Sequence, residues 1–258
     1  MPGTSLSLAI SPTVTPHVAA APTEPPSISN LALWLDSGEG TYLDIEGTLP
    51  ADTNNARVGH WRDALTGVGW WLAVDGSSDY RPTLLTAFGG LRSLWFGLDP
   101  SNGMEAQWLW SEDFSTGETE FSFAIVMMLG SDTAYNRQIF SNNLRAWLRY
   151  TPSETLELVV DNGLPSAKTL SCSLSPGTNT PFIVSGRVSS SLGYALAIDG
   201  EIMATDTGTP ASGWGGCVLG QQTNPANIYI AEFLVWATDL TNTELSQAYQ
   251  YLANKHGL

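Results

Sequence analysis

The last thirty residues constrain the fold more than any other stretch. Ile228-Tyr-Ile-Ala-Glu-Phe-Leu-Val-Trp236 holds one charge in nine residues. Strict alternation would put Ile228, Ile230, Glu232, Leu234 and Trp236 on one face and Tyr229, Ala231, Phe233 and Val235 on the other. Both faces are mostly apolar, which predicts an interior strand covered on both sides. A helix follows. Thr241 and Glu244 have the spacing of a reciprocal cap, in which the hydroxyl takes the Glu244 amide and the carboxylate takes the Thr241 amide. Leu245, Ala248, Tyr249 and Leu252 then recur at helical intervals, and Gly257 supplies the stop. A strand buried on both faces and followed by an amphipathic helix predicts a layered β body with the helix laid on its outside.

The rest of the chain reads as short alternating runs divided by turn residues. Leu31-Ala-Leu-Trp-Leu-Asp36 is a strand, and Val58-Gly-His-Trp-Arg-Asp63 and Gly90-Leu-Arg-Ser-Leu-Trp-Phe-Gly97 follow it, the latter after Arg81-Pro82-Thr83. Phe121-Ser-Phe-Ala-Ile-Val-Met-Met128 is apolar at every position but Ser122 and predicts a central strand buried on both faces; Arg137–Ser141 comes next. Leu144–Tyr150 and Leu156–Val160 form a hairpin around Thr151-Pro-Ser-Glu154. Phe182–Val188 and Tyr194–Ile198 pair, and Asp199-Gly200 favours a type I′ turn into Glu201-Ile-Met203, since both central residues must take positive φ.

Several of these blocks resemble the laminin-G-like, concanavalin A-like jelly-roll domains. The opening Leu31-Ala-Leu-Trp-Leu-Asp36 is similar to that family's first strand. The Val58–Asp63, Arg81-Pro82 and Gly90–Gly97 segments and the Ala197-Ile-Asp-Gly-Glu-Ile202 hairpin resemble family segments. The ending Ile230–Trp236, Leu240, Glu244 and Tyr251-Leu-Ala-Asn-Lys-His-Gly-Leu258 resembles the family's terminus nearly position by position. The usual Asp after Phe96 is absent. The resemblance implies an all-β, concanavalin A-like (laminin-G-like) jelly-roll β-sandwich over residues 27–258, with a C-terminal α-helix and an extended N-terminal arm.

That arm is residues 1–26. Pro2, Pro12, Pro16, Pro22, Pro25 and Pro26, spaced by Ser, Thr and Ala with Glu24 as the one carboxylate, can neither form a helix nor bury a core. No basic segment followed by an apolar core marks a signal peptide, and no apolar run approaches a membrane span. Charge narrows the partners. With 25 acidic and 10 basic residues the chain carries a formal −15 and has no Lys/Arg run to neutralise phosphates, so nucleic acid is not expected as a partner. Cys172 and Cys217 make no metal motif, and free buried thiols are expected over a disulfide.

No catalytic set stands out. His17, His60 and His256 are dispersed, and no Gly-x-Ser-x-Gly elbow is present. Glu118 and Glu120 could share a strand face, but alternating carboxylates more often mark a solvated face than a glycosidase pair. Asp36, Asp63, Asp99 and Asp206 fall near strand ends without a calcium-loop pattern, so neither metal ligand nor cofactor is expected. The aromatic residues are more suggestive. Trp70 and Trp71 are adjacent and so belong to opposite faces of an extended strand; Trp108 and Trp110 share one. These four are the candidate ligand-binding residues, because an exposed indole stacks on sugar rings, and the alternative is that they fill the core.

Bacterial and phage members of the family resembled are frequent among virion structural proteins. The resemblance therefore implies a non-enzymatic phage virion protein, first of all a capsid decoration protein. Its arm would hold it to the major capsid protein or other virion subunits, and a homo-oligomer, for choice a trimer, would be its assembled state. The alternative is a lectin-like carbohydrate-binding module, or a tail or fibre component recognising host-surface glycans.

Overall fold

The computed structural model describes residues 24–25, 27–67, 69–71, 81–88, 90–97, 108–115, 119–131, 136–142, 146–161, 164–174, 177, 179–210, 215–220 and 227–258. The expected arm, apart from Glu24 and Pro25, lies outside the described residues. In chain order the strands are β1 Leu31–Asp36, β2 Thr41–Tyr42, β3 Ala56–Arg57, β4 His60–Arg62, β5 Gly69–Trp71, β6 Thr83–Phe88, β7 Leu91–Phe96, β8 Trp108–Ser115 and β9 Phe121–Leu129. They continue as β10 Arg137–Asn142, β11 Ala146–Thr151, β12 Thr155–Val160, β13 Lys168–Ser173, β14 Phe182–Val188, β15 Tyr194–Ile198, β16 Glu201–Asp206, β17 Gly215–Gly220 and β18 Ile228–Trp236. Among the described residues one helix, α1, spans Asn242–His256.

The fold is an all-β sandwich closed by the C-terminal helix. The first sheet runs β16-β15-β14-β9-β18-β7-β6-β3, with β1 also paired to β18; the second runs β13-β12-β11-β10-β17-β8-β5-β4-β2. Leu33, Leu35, Phe96, Phe123, Ile125, Phe140, Leu148, Leu196, Phe233 and Val235 are among the side chains that fill the space between the sheets. β9 and β18 are buried at all nine positions because the second sheet covers one face and α1 covers much of the other. The almost wholly apolar run of Phe121–Leu129 is thus explained by its central place. Asp199 and Gly200 turn at φ 47° and 82°, as the Asp-Gly pair requires. Gly200 is also constrained by packing, since a Cβ there would stand 2.7 Å from the Tyr249 ring.

The helix ends behave as the sequence predicts. Thr241 Oγ1 accepts from the Glu244 amide, Glu244 Oε2 accepts from the Thr241 amide at 2.8 Å, and Gly257 leaves the helix at φ 71°. Leu245, Ala248, Tyr251, Leu252 and Ala253 bury themselves against Ala124, Val126, Leu234 and Trp236, each large side chain contributing about 1.5–3 kcal/mol. Tyr249, expected in that stripe, is half-buried at its edge, and Tyr251 takes the deeper place.

Strict alternation along β18 is corrected by a bulge. Its register with β9 slips between Ile230 and Glu232, where its opposite neighbour changes from β7 to β1. Ile228, Ile230, Phe233 and Val235 therefore face the second sheet, whereas Tyr229, Ala231, Leu234 and Trp236 belong to the helix side. A bulge inserts one unpaired residue and so reverses the facing of everything after it.

Candidate functional site

The helix does not cover the whole outer face of the first sheet. Beyond it, the register sets Thr83 of β6, Trp95 of β7, Tyr229 of β18 and Met128 of β9 in one cross-strand row. The Trp95 and Tyr229 rings lie side by side with centroids 6.4 Å apart and planes 22° apart. Trp95 is half-buried, and Tyr229 is 8% exposed.

Local sequence lays the indole flat. Gly97 is two residues on from Trp95, and a Cβ built there would stand 2.1 Å from the indole Cε2. Only glycine lets the ring settle over that backbone. Asn227 then pins it, with its Oδ1 accepting from Trp95 Nε1 at 3.1 Å. Asn227 holds φ 44°, a left-handed conformation that Asn tolerates better than most residues, and its carboxamide fits over Gly130, where a Cβ would meet Oδ1 at 2.3 Å. Two glycines and one asparagine thus fix the aromatic surface before any ligand arrives.

A polar wall completes a cleft of about 540 Å³ lined by Asn54, Asn55, Thr83, Leu85, Thr86, Trp95 and Tyr229, within the usual range for a small-ligand site. Asn55, at φ 66°, turns the chain into β3 while its amide donates to the Leu84 carbonyl at 2.8 Å. The Thr86 amide donates to Asn54 Oδ1 at 3.0 Å. Because a backbone N–H can only donate, this bond fixes the Asn54 amide with its NH2 end left for a ligand. No described lining residue carries a charge, and burial pushes the Tyr229 phenol up. The described lining offers stacking and hydrogen bonds.

Past the bulge, the same strand enters a closed polar cluster under α1. Glu232 is fully buried; its Oε1 accepts from Trp34 Nε1 at 2.8 Å and from Tyr251 OH at 2.9 Å. Its Oε2 meets His256 Nε2 at 2.7 Å and Lys255 Nζ at 2.9 Å, and Lys255 also reaches Asp36 Oδ2 at 2.6 Å. Burial alone would raise the Glu232 carboxyl, but the His256 hydrogen bond and the Lys255 ammonium outweigh it and hold it below the ordinary glutamate value. Burial and the Glu232 charge push the Tyr251 phenol up. Each oxygen of the carboxylate already has two partners, so this cluster ties helix to sheet.

The tryptophans singled out in the sequence lie in the other sheet. Trp71 of β5 stands directly opposite Trp110 of β8, Trp70 opposite Trp61 of β4, and Trp108 opposite Gly220 of β17. The backbone therefore brings Trp71 and Trp110 together and sends Trp70 to a different partner. Trp110 is half-buried, and the side chains of Trp70, Trp71 and Trp108 lie outside the described residues. Trp95, Tyr229, Asn54, Asn55, Thr83, Leu85 and Thr86 are the lining residues that sequence reasoning missed. Trp95-Phe-Gly97 was the available signal, a glycine on the same strand face as an indole.

Other expectations find their places. His60 is buried with Nδ1 2.9 Å from the Ile45 carbonyl oxygen, and His256 belongs to the Glu232 cluster. Glu120 accepts from the Ser190 amide at 2.7 Å just before β9, while Glu118, Asp99 and His17 lie outside the described residues. Cys172 and Cys217 are free and buried. Among the described residues no group of three or more His, Cys, Asp or Glu side chains could hold a metal ion.

No protein-family model matches the chain, and no curated protein matches it significantly. Solved structures do. The binding domain of botulinum neurotoxin DC, in complex with SialylT, superposes with a TM-score of 0.60 at 14% identity, over 87% of this chain and 52% of that one. A botulinum neurotoxin type C structure, whose cell entry is described as dependent upon interaction with two ganglioside molecules, gives 0.58 at 13% over 86% of this chain and 51% of that one. The neurotoxin DC binding domain in complex with rat synaptotagmin II gives 0.57 at 13%, over 86% and 52%. The chain spans about half the length of these toxin structures. At such identities the likeness is one of fold.

Proposed function

We propose that this chain is a non-enzymatic, lectin-like glycan-binding domain that takes sugar rings in the cleft of Trp95 and Tyr229. The observation that carries the reading is the Trp95 indole, fixed flat by Gly97 and Asn227 inside a cleft whose other walls are amides and hydroxyls. A flat ring accepts the C–H face of a pyranose, and neutral hydrogen-bonding groups accept its hydroxyls. Neighbours of the same fold described with SialylT or gangliosides support it, although they are twice as long. In the same reading the domain is of the laminin-G-like kind, which the terminal strand and helix support.

The virion setting, with a capsid partner, a trimer and an anchoring arm at residues 1–26, draws support from the sequence resemblance alone. Glycan binding, second in the sequence reading, therefore becomes the first.

Trp95→Ala tests the proposal on a glycan array followed by titration calorimetry of whatever binds. At least a tenfold loss of affinity is expected, with near-ultraviolet circular dichroism showing the fold intact. Trp110→Ala should leave affinity unchanged. If Trp110→Ala abolishes binding and Trp95→Ala does not, the site belongs to the other sheet.

A further inference from the structure

From the order of groups across the cleft we infer that it is a subsite for N-acetylated sugars, and that the acetamido group of the stacked pyranose is the feature it reads. The inference rests on the glycan-binding reading and goes on to the class of sugar. Tyr229 of β18, Trp95 of β7 and Thr83 of β6 stand side by side, and Leu85, two residues on from Thr83, is diagonal to Trp95 and within reach of its ring. Leu85 and Trp95 are both half-buried and pack on the same apolar layer beneath them. Beyond β6 comes the turn into β3, where the Asn55 amide donates to the Leu84 carbonyl and Asn54 Oδ1 accepts from the Thr86 amide. The cleft therefore presents aromatic rings, then an aliphatic side chain, then an amide, over two strand spacings or about 9–10 Å.

That succession fits an acetamido group better than the hydroxyl it replaces. A pyranose lying on Trp95 directs its ring substituents outward in the plane of the ring, toward β6 and the turn beyond. A hydroxyl turned onto Leu85 loses water against carbon, whereas an acetamido methyl gains by covering the same surface. One step further, the carbonyl oxygen meets the Asn54 NH2. The direction of that donor is set because Asn54 Oδ1 accepts from the Thr86 amide at 3.0 Å and lies 3.4 Å from Thr86 Oγ1. Thr83, directly opposite Trp95, adds a hydroxyl that can accept the N–H of the group. The methyl contact and one hydrogen bond together amount to about tenfold in affinity.

The test uses the full chain against matched pairs: N,N′-diacetylchitobiose with cellobiose, and N-acetyllactosamine with lactose. Affinities are read by ligand-observed NMR and calorimetry on wild type, Trp95→Ala and Asn54→Asp, with circular dichroism to check that both variants fold. In wild type the N-acetylated member of at least one pair should bind about tenfold tighter, and its acetamido methyl protons should receive strong saturation transfer from the protein. Trp95→Ala should lose both members. Asn54→Asp keeps an oxygen for the Thr86 amide but removes the NH2 donor, so the preference should shrink several-fold. Equal or tighter binding of the plain member in both pairs, lost in Trp95→Ala, overturns the acetamido inference and leaves the cleft as the glycan site. A preference undiminished in Asn54→Asp overturns it in the same way. Binding that ignores Trp95→Ala, or no binding by any of the four, overturns the glycan-binding reading and this inference with it.

Discussion

Two neighbouring stretches of one strand show how differently the same sheet face is used. At its start, β18 contributes Tyr229 to a cleft open to solvent; three residues later it contributes Glu232 to a cluster sealed under α1. Between them lies the bulge at Ala231. The polar groups of the cleft are neutral and leave hydrogen-bonding capacity for a ligand, whereas the buried carboxylate has spent all of its own on Trp34, Tyr251, Lys255 and His256. The difference teaches where to look for function in a sandwich such as this. A buried ionised group with every partner in place is a fastening, and a flat aromatic surface with unused amides beside it is the candidate receptor.

The sharpest way to break this contrast is Glu232→Ala. It leaves Lys255, His256, the Trp34 N–H and the Tyr251 hydroxyl facing a void, and removing one partner of a buried charge set costs about 3–5 kcal/mol. Urea unfolding should show that loss, while any molecules still folded keep their ligand affinity, because the cleft lies on the other side of the bulge. Acid sharpens the same point. The Glu232 carboxyl is held below its ordinary value of 4.5, so the unfolded chain binds a proton that the folded chain refuses. Its stabilising contribution is complete above the unfolded value and is lost as pH falls through the folded one. Glu232→Gln should flatten the acid limb of a stability–pH curve. An unchanged limb would mean that the carboxylate is not the fastening.

Gly97→Ala tests the other half of the contrast. The new Cβ would stand 2.1 Å from the indole, so the ring must rise from its bed. Overpacking of this kind costs about 1–3 kcal/mol, less than the loss of Glu232, but ligand binding should fall at least as far as in Trp95→Ala. A variant that binds normally would show that the flat pose of Trp95 is dispensable.

The sequence made the frame legible and the site much less so. Runs such as Phe121–Met128 and the Thr241–Glu244 cap depend on neighbours within one element, and they were readable from spacing alone. The bulge at Ala231 was not, because it arises where β18 exchanges β7 for β1 as its neighbour, a choice made by chains far apart in sequence. The cleft was hidden for the same reason: Asn54, Thr86, Trp95 and Asn227 come from four segments that meet only when the sheet is complete. Trp70 and Trp71 attracted attention by adjacency, yet adjacency on a strand sends two residues to different partners, here Trp61 and Trp110.

Asn227→Gly should give the smallest effect and the most specific one. Glycine accepts the φ of 44° without strain, so backbone conformation is kept while the acceptor for Trp95 Nε1 disappears. The lost hydrogen bond is partly exposed and worth about 0.5–1.5 kcal/mol. Stability should therefore fall only slightly. Affinity should weaken a few-fold, since the indole is still present but must be ordered by the ligand itself, and calorimetry should show that cost as a less favourable binding entropy. Asn227→Asp is the informative companion. It keeps the acceptor but adds a negative charge beside the cleft, so uncharged ligands should bind nearly as well as to wild type. If Asn227→Gly instead matched Trp95→Ala, the asparagine would have to touch the ligand directly, and the pinning role assigned to it here would be wrong.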